Sequence, residues 1–267
     1  ANQGVDVLLA PGLNTKRSSL CGRSFEYYSE DPYLSGKLAA GFIRGAQKQG
    51  VSACAKHYAA NAQELLRMHS DSVMDERTLR EMYLTNFEIA IKEGKPGFVM
   101  TAYNRVNGVY ANESRHLLGD ILRGEWGFDG AVVTDWGGSN SIVEGVREGM
   151  NLEMPAAGDD SPCQLVKAVK NGTIDEKIVD ERVDQLLDFV LAEHKSGETS
   201  FDAAKQHQAA EAAAEKCLVL LKNDEHLLPL KKDARVAVIG EFAARSRYQG
   251  AGSSMVNAAQ VDDTLPL

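Results

Sequence analysis

Cysteine is scarce and scattered in this sequence: Cys21, Cys54, Cys163 and Cys217 are the only four among 267 residues. They form no CxxC pair and stand at no zinc-site spacing from histidines, which excludes a disulfide framework and the common structural zinc modules. Each is expected as a small buried side chain. No apolar run approaches the roughly 18 residues that would mark a membrane-spanning helix. Basic blocks are missing too. The net charge is −9, so nothing in the charge pattern points to nucleic acid. The glycine-rich "YQGAGSS" lacks the GK[ST] ending of a phosphate loop and reads as a turn. His57 and Glu64 in "KHYAANAQE" are wrongly spaced for an HExxH site, no other group resembles a metal-ligand set, and no cofactor is implied. The chain opens on "ANQGVDVLLAPG", without Met and without a charged-plus-apolar targeting pattern. It begins almost directly on a strand, as expected of a sequence cut from something longer; the compartment stays open.

What is present is ordinary globular composition, 43% hydrophobic and 25% charged, arranged as strand-like and helical segments in alternation. "VDVLLAPG" (5–12), "VSACAKHY" (51–58), "GFVMTAY" (97–103) and "GAVVTDW" (130–136) are nearly continuous apolar runs, as strands buried on both faces require. "LEMP" (152–155) is a shorter fifth. Between them lie helical patterns. Asp31 and Pro32 form a cap and first-turn pair for a helix ending near Gly50. Asp75 caps a helix whose Leu79, Met82, Tyr83, Phe87, Ala90 and Ile91 share one face, with Gly94 at its end. Further helices are predicted over 114–126, 140–149, 163–171 and 175–195.

Such alternation implies an α/β fold with a parallel sheet flanked by helices. An open doubly wound sheet and a closed eight-fold barrel both fit; a full barrel would need about three more strands than this chain supplies. Around "HKSGETSFDAA" (194–204) the composition turns polar, which predicts a domain boundary near residue 198. Residues 1–197 are expected to form the first, parallel-sheet domain. Residues 198–267 are expected to hold an alanine-rich linker helix, a buried strand "RVAVIGE" (235–241), and the beginning of a second domain.

Function in parallel sheets and barrels sits at the carboxyl ends of the strands. Here those ends carry Lys56-His57, Tyr103-Asn104 and Asp135-Trp136, and the loop after the first strand contains Arg23. Several charges gathered at strand tips imply a polar cavity in which each has a partner, because an isolated buried charge is costly. Each also has a plainer reading: Asp135 as a cap for the helix near 140, Lys56 and His57 as structural ion-pair partners, Tyr103 and Trp136 as packing residues, Arg23 and Arg67 as solvated loop arginines. Two chemistries fit the set. An ionised Asp135 beside cations and aromatics suits attack on an anomeric carbon. Alternatively, Lys56 would form a Schiff base with a carbonyl compound, with Asp135 moving the proton.

Seven stretches, in order, resemble family 3 of the glycoside hydrolases, and its β-glucosidase-type members in particular. They are "GRSFEYYSEDPYLSG" (22–36), "KHYAANAQE" (56–64), "MTAYNRVNGVYANES" (100–114), "LRGEWGFDGAVVTDWGG" (122–138), "NLEMP" (151–155), "LLKNDEHLLPL" (220–230) and "RYQGAGSSMVN" (247–257). The resemblance implies a TIM-like (β/α) barrel, incomplete in this chain, followed by the start of an α/β sandwich domain. It also implies retaining hydrolysis of terminal β-D-glucosyl residues through a glycosyl-enzyme intermediate. By the same resemblance Asp135 is the nucleophile, and Arg23, Lys56, His57, Arg67, Tyr103 and Trp136 bind the non-reducing-end sugar of a β-glucoside or oligosaccharide. Small departures are Ser24 and Ala62 where Asn is frequent, and "QELLRM" around Arg67. The "KHFPGHG"-like stretch of N-acetylglucosaminidase-type relatives is replaced by "KHYAANAQE". The family's acid/base Glu is expected beyond residue 267, in segments of the parent protein needed for full catalysis. A catalytically incomplete sugar-binding remnant is therefore the second reading, and a Schiff-base lyase the third.

Overall fold

The computed structural model describes residues 4–192, 201–250 and 252–265. Two compact units divide the chain, Ala1–Thr199 and Ser200–Leu267. The boundary expected near residue 198 lies outside the described residues.

The first unit is built on a four-stranded sheet of β1 (Val7–Leu8), β2 (Ser52–Tyr58), β4 (Phe98–Thr101) and β7 (Ala131–Val133), in that spatial order. All neighbours are parallel. Val133 also bridges Leu152 in parallel, at the "LEMP" run. Parallel neighbours need crossover connections, and helices supply them. They are α1 (Pro32–Gln47), α2 (residues 76–94) and α3 (Arg115–Glu125), followed by α4 (Ile142–Glu148), α5 (Asp160–Lys170) and α6 (Glu176–Leu191). This is an arc of a (β/α) barrel, the α/β class read from the apolar runs. The first strand is much shorter than the expected 5–12, and Leu8 and Leu9 are exposed. A second small sheet has no counterpart in the sequence reading: β3 (Asp71–Ser72), β5 (Arg105–Val106) and β6 (Val109–Tyr110), built in the loops that follow β2 and β4.

The main core lies between the sheet and helices α1 to α3. Ala39 and Ile43 of α1, Leu84 and Phe87 of α2, and Leu117 and Ile121 of α3 are buried against Ala53, Ala55 and Tyr58 of β2 and Val99 of β4. Close crossing of α1 on α2 depends on Gly36, where a Cβ would stand 2.8 Å from Ile89 Cβ. The helix starts follow the capping chemistry. Asp31 Oδ1 accepts from Tyr33 N (2.8 Å) and Leu34 N (3.3 Å), and Asp75 Oδ1 accepts from Thr78 N (2.7 Å). Asp31→Ala is accordingly expected to cost about 1 kcal/mol, within the usual range for a lost N-cap. A urea midpoint left unmoved would rule that out.

Two expectations need correction. Cys54 is buried, but Cys163 and Cys217 are exposed and Cys21 is half-buried, because the latter three lie on helix surfaces or in a loop rather than in the sheet. In the second unit α7 (Ala203–Cys217) is the predicted alanine-rich helix, capped by Asp202. The run 235–241, however, is not a strand: Val236, Val238 and Ile239 are exposed. No other strand lies in that unit among the described residues, so its backbone has no ladder to join.

Candidate active site

Four segments converge at the carboxyl ends of β2, β4 and β7. The "GRSFE" loop brings Arg23 and Glu26, β2 brings Lys56 and His57, the chain after β4 brings Tyr103, and the chain after β7 brings Asp135 and Trp136. In a regular strand Lys56 and His57 would face opposite sides. The pairing of β2 with β4 shifts register between Lys56 and Tyr58. This bulge lets both side chains reach one cluster.

Asp135 is the centre of that cluster. Its Oδ1 accepts from the Trp136 backbone N–H at 2.7 Å. Its Oδ2 lies 3.3 Å from His57 Nε2 and 3.7 Å from Arg23 Nη1. The His57 contact is short but poorly aligned: both His57 Nε2 and Asp135 Oδ2 are buried without a hydrogen-bond partner. One carboxylate oxygen is thus held by the chain, and the other has no hydrogen-bond partner among the described residues. The α4 helix does not need Asp135 as a cap, since Ser141 Oγ accepts from Glu144 N at 3.3 Å. Gly137, at φ +76°, lets the chain turn away directly after Trp136.

The cations are each matched. Glu26 bonds Arg23 Nε through Oε1 and stands 3.4 Å from Lys56 Nζ through Oε2. Burial alone would lower the Arg23 guanidinium, but the hydrogen bond to Glu26 and the charges of Glu26 and Asp135 raise it above its ordinary value. Arg67 pairs with Glu64 at 2.8 Å, and its guanidinium lies 4.4 Å above the Tyr103 ring. Tyr103 donates to the Trp136 carbonyl at 2.9 Å. Burial, with Asp135 beside it, pushes the Tyr103 phenol up to about 12. Trp136 is 63% exposed and is not a core residue.

His57 is 1% exposed. Burial, reinforced by Arg23, Lys56 and Arg67, holds its imidazole well below the ordinary 6.5, so it is neutral. The unfolded chain then binds one proton more than the folded chain between the depressed value and 6.5. Stability from this group is full above 6.5 and is lost as the pH falls toward the folded value. His57→Gln should therefore flatten part of the decline in thermal midpoint between about pH 7 and pH 5; an unchanged slope would contradict a buried neutral imidazole.

All seven residues singled out from the sequence come into this region, Arg67 through Tyr103 rather than by contact with Asp135. Four others were missed. Asn14, 2% exposed, clamps the His57 backbone, with Nδ2 donating to His57 O (2.8 Å) and Oδ1 accepting from His57 N (2.9 Å). Tyr27 touches the His57 ring. Glu26 and Glu64 stand three residues from the arginine each one pairs, and that i,i+3 spacing was the available signal.

The chain has known relatives in sequence and in fold. Residues 1–189 match the model of the glycosyl hydrolase family 3 N-terminal domain, and residues 218–266 match that of the family 3 C-terminal domain. Thermostable beta-glucosidase B of Acetivibrio thermocellus is 48% identical over 263 residues, covering 98% of this chain and 35% of that protein. The chain thus spans about a third of that curated relative. Among solved structures, a GH3 beta-glucosidase of Bifidobacterium adolescentis superposes with a TM-score of 0.92 at 41% identity, over 98% of this chain and 39% of its own. Beta-glucosidase 3B of Thermotoga neapolitana in complex with alpha-D-glucose gives 0.89 at 40% identity, over 97% and 38%. With the first unit matched from end to end of its barrel arc, the chain belongs to glycosyl hydrolase family 3.

Proposed function

We propose that this chain carries the nucleophile side of a retaining β-glucosidase site, acting on terminal β-D-glucosyl residues. Asp135 Oδ2 attacks the anomeric carbon; the bond from C1 to the leaving oxygen breaks, its electron pair departs with the aglycone, and a glycosyl ester forms. Arg23, Lys56, His57 and Arg67 hold the sugar hydroxyls, Tyr103 borders the nucleophile, and Trp136 offers an aromatic face to the ring. One observation carries this reading: Asp135 Oδ2 is buried without a hydrogen-bond partner, while Oδ1 is fixed by the chain. The beta-glucosidase of Acetivibrio thermocellus and the glucose complex of the Thermotoga neapolitana enzyme support the same substrate class.

A Schiff base at Lys56 is disfavoured by its position. Its Nζ is engaged by the Glu26 carboxylate at 3.4 Å.

The test is incubation with 2,4-dinitrophenyl 2-deoxy-2-fluoro-β-D-glucoside. Its leaving group departs without a proton donor, and the fluorine slows hydrolysis of the ester. Mass spectrometry should find one fluoroglucosyl adduct, on the peptide bearing Asp135. An adduct elsewhere, or none, sinks the nucleophile reading; glucose binding without any adduct would favour a sugar-binding role.

A further inference from the structure

The proposed sugar site uses one nitrogen of His57, and the other sits in a setting that decides which of the two bears the proton. His57 Nδ1 has two neighbours, Asn14 Oδ1 at 3.2 Å and the Tyr27 hydroxyl at 3.3 Å. Tyr27 meets the imidazole edge-on, with ring centroids 6.3 Å apart and planes at 76°. It is 4% exposed. Among the described residues its hydroxyl has no hydrogen-bond partner other than Nδ1. Burial raises the Tyr27 phenol far above its ordinary value, so the proton stays on oxygen.

The orientation of Asn14 is settled by its two bonds to the His57 main chain: the amide nitrogen faces a carbonyl, and Oδ1 already accepts from His57 N. Two tautomers of the neutral ring can then be compared. With the proton on Nδ1, that nitrogen donates to an Asn14 oxygen that already has a donor. Tyr27 then has a buried O–H without an acceptor, and the Nε2 lone pair faces Asp135 Oδ2 across 3.3 Å. With the proton on Nε2, Tyr27 donates to Nδ1 and a positive N–H edge faces the carboxylate. The first arrangement leaves a buried donor unmet and sets a lone pair against a carboxylate; the second sets the Nδ1 lone pair against the neutral Asn14 amide oxygen at 3.2 Å, a smaller repulsion than against a full negative charge, and meets every donor.

We propose that Tyr27 is a positioning residue that holds His57 in the Nε2–H tautomer by donating its hydroxyl to Nδ1, so that a proton-bearing nitrogen faces Asp135 and the sugar pocket. Because Nε2 and Asp135 Oδ2 are misaligned with each other, each keeps an unused hydrogen-bonding capacity: one donor and one acceptor side by side. Such a pair suits a single sugar hydroxyl, which takes a hydrogen bond from Nε2–H and gives its own proton to the carboxylate. This last step rests on the proposed glucosidase reading; the tautomer assignment does not.

Long-range 1H–15N correlation spectra of the 15N-labelled chain near neutral pH read the tautomer directly, with His57→Gln identifying the His57 signals. The expected result is a pyrrole-type Nε2 and a pyridine-type Nδ1. A pyrrole-type Nδ1 in the unmodified chain overturns the proposal. Tyr27→Phe, with folding checked by its amide spectrum, should shift population to the Nδ1–H form; a ring that stays Nε2–H also overturns it. Should Tyr27→Phe fail to fold, 3-fluorotyrosine at position 27 keeps the shape and strengthens the donor. The Nδ1 resonance must then move, and a fixed resonance counts against the idea. If the fluoroglucoside labels the chain, Tyr27→Phe should raise its apparent binding constant about threefold to tenfold, as for one lost hydrogen bond, with a smaller effect on the maximal labelling rate. If the unmodified chain takes no label, the glucosidase reading fails and the tautomer spectra still decide the role of Tyr27.

Discussion

Asp135→Asn should abolish covalent labelling by the activated fluoroglucoside, with a loss on the order of 10⁴-fold or more, the scale seen when a covalent nucleophile is removed. The amide that replaces the carboxylate is too weak a nucleophile to open the glycosidic bond, although its shape is the same. Stability should respond in the other direction or not at all. In the native chain Asp135 Oδ2 is buried without a hydrogen-bond partner, and the side chain is only 13% exposed. A neutral amide relieves the cost of a buried, unbonded charge. Arg23 is not orphaned by the change, because Glu26 still pairs it. The urea midpoint of Asp135→Asn should thus match or exceed that of the unmodified chain, the trade expected where a site is organised for reaction rather than for packing. Full labelling of the variant would remove Asp135 from the reaction. A large loss of stability would mean that the carboxylate has a structural duty not visible in its contacts.

Much of this arrangement could be read in the residues because the physics is local. The apolar runs at 51–58, 97–103 and 130–136 have the length and composition of strands buried on both faces, and Asp31 and Asp75 announce their helices by side-chain chemistry that acts within three residues. Polar residues at the strand tips point to a site by the same logic of burial. What stayed hidden depends on long sequence separations. Asn14 meets His57 across 43 positions, and neither residue carries a signal that names the other. Strands β3, β5 and β6 are two residues each and include Asp71, Ser72 and Arg105, so no alternation of apolar residues marks them. The opposite failure occurs at "RVAVIGE", whose composition favours a strand strongly. A strand forms only where another strand offers paired N–H and C=O groups, and composition says nothing about that supply.

Site and core are also joined mechanically, through the loop after β1. Asn86 of α2 bonds the Leu13 carbonyl through its side chain, and Thr15 Oγ1 donates to Met82 O at 2.9 Å. Asn14, which clamps His57, is therefore suspended between two anchors on α2. The position of that helix is set in turn by what it buries.

Phe87→Ala is for that reason expected to have the largest effect of any single core substitution. Phe87 is fully buried and meets Tyr58 edge-on, with centroids 5.3 Å apart; Tyr58 meets Trp126 at 5.8 Å and donates to Leu117 O at 2.9 Å. Truncation removes the ring and leaves a hole between α2 and β2, costing about 3–5 kcal/mol. Domain stabilities run to about 5–15 kcal/mol, so about a fifth or more of the total would be lost. Urea unfolding followed by the fluorescence of Trp126 and Trp136 should show a lower midpoint with an unchanged slope, since the surface exposed on unfolding is nearly the same. Leu20→Ala, at a side chain 92% exposed, should stay within about 0.5 kcal/mol and serves as the contrast. Labelling of Asp135 should also slow in Phe87→Ala under conditions where the chain remains folded, because Asn86 sits beside the cavity and carries the loop that holds Asn14. A variant with full stability would mean that α2 does not rest on β2 through this ring. One that lost stability but labelled at the normal rate would show the loop anchored independently of the core.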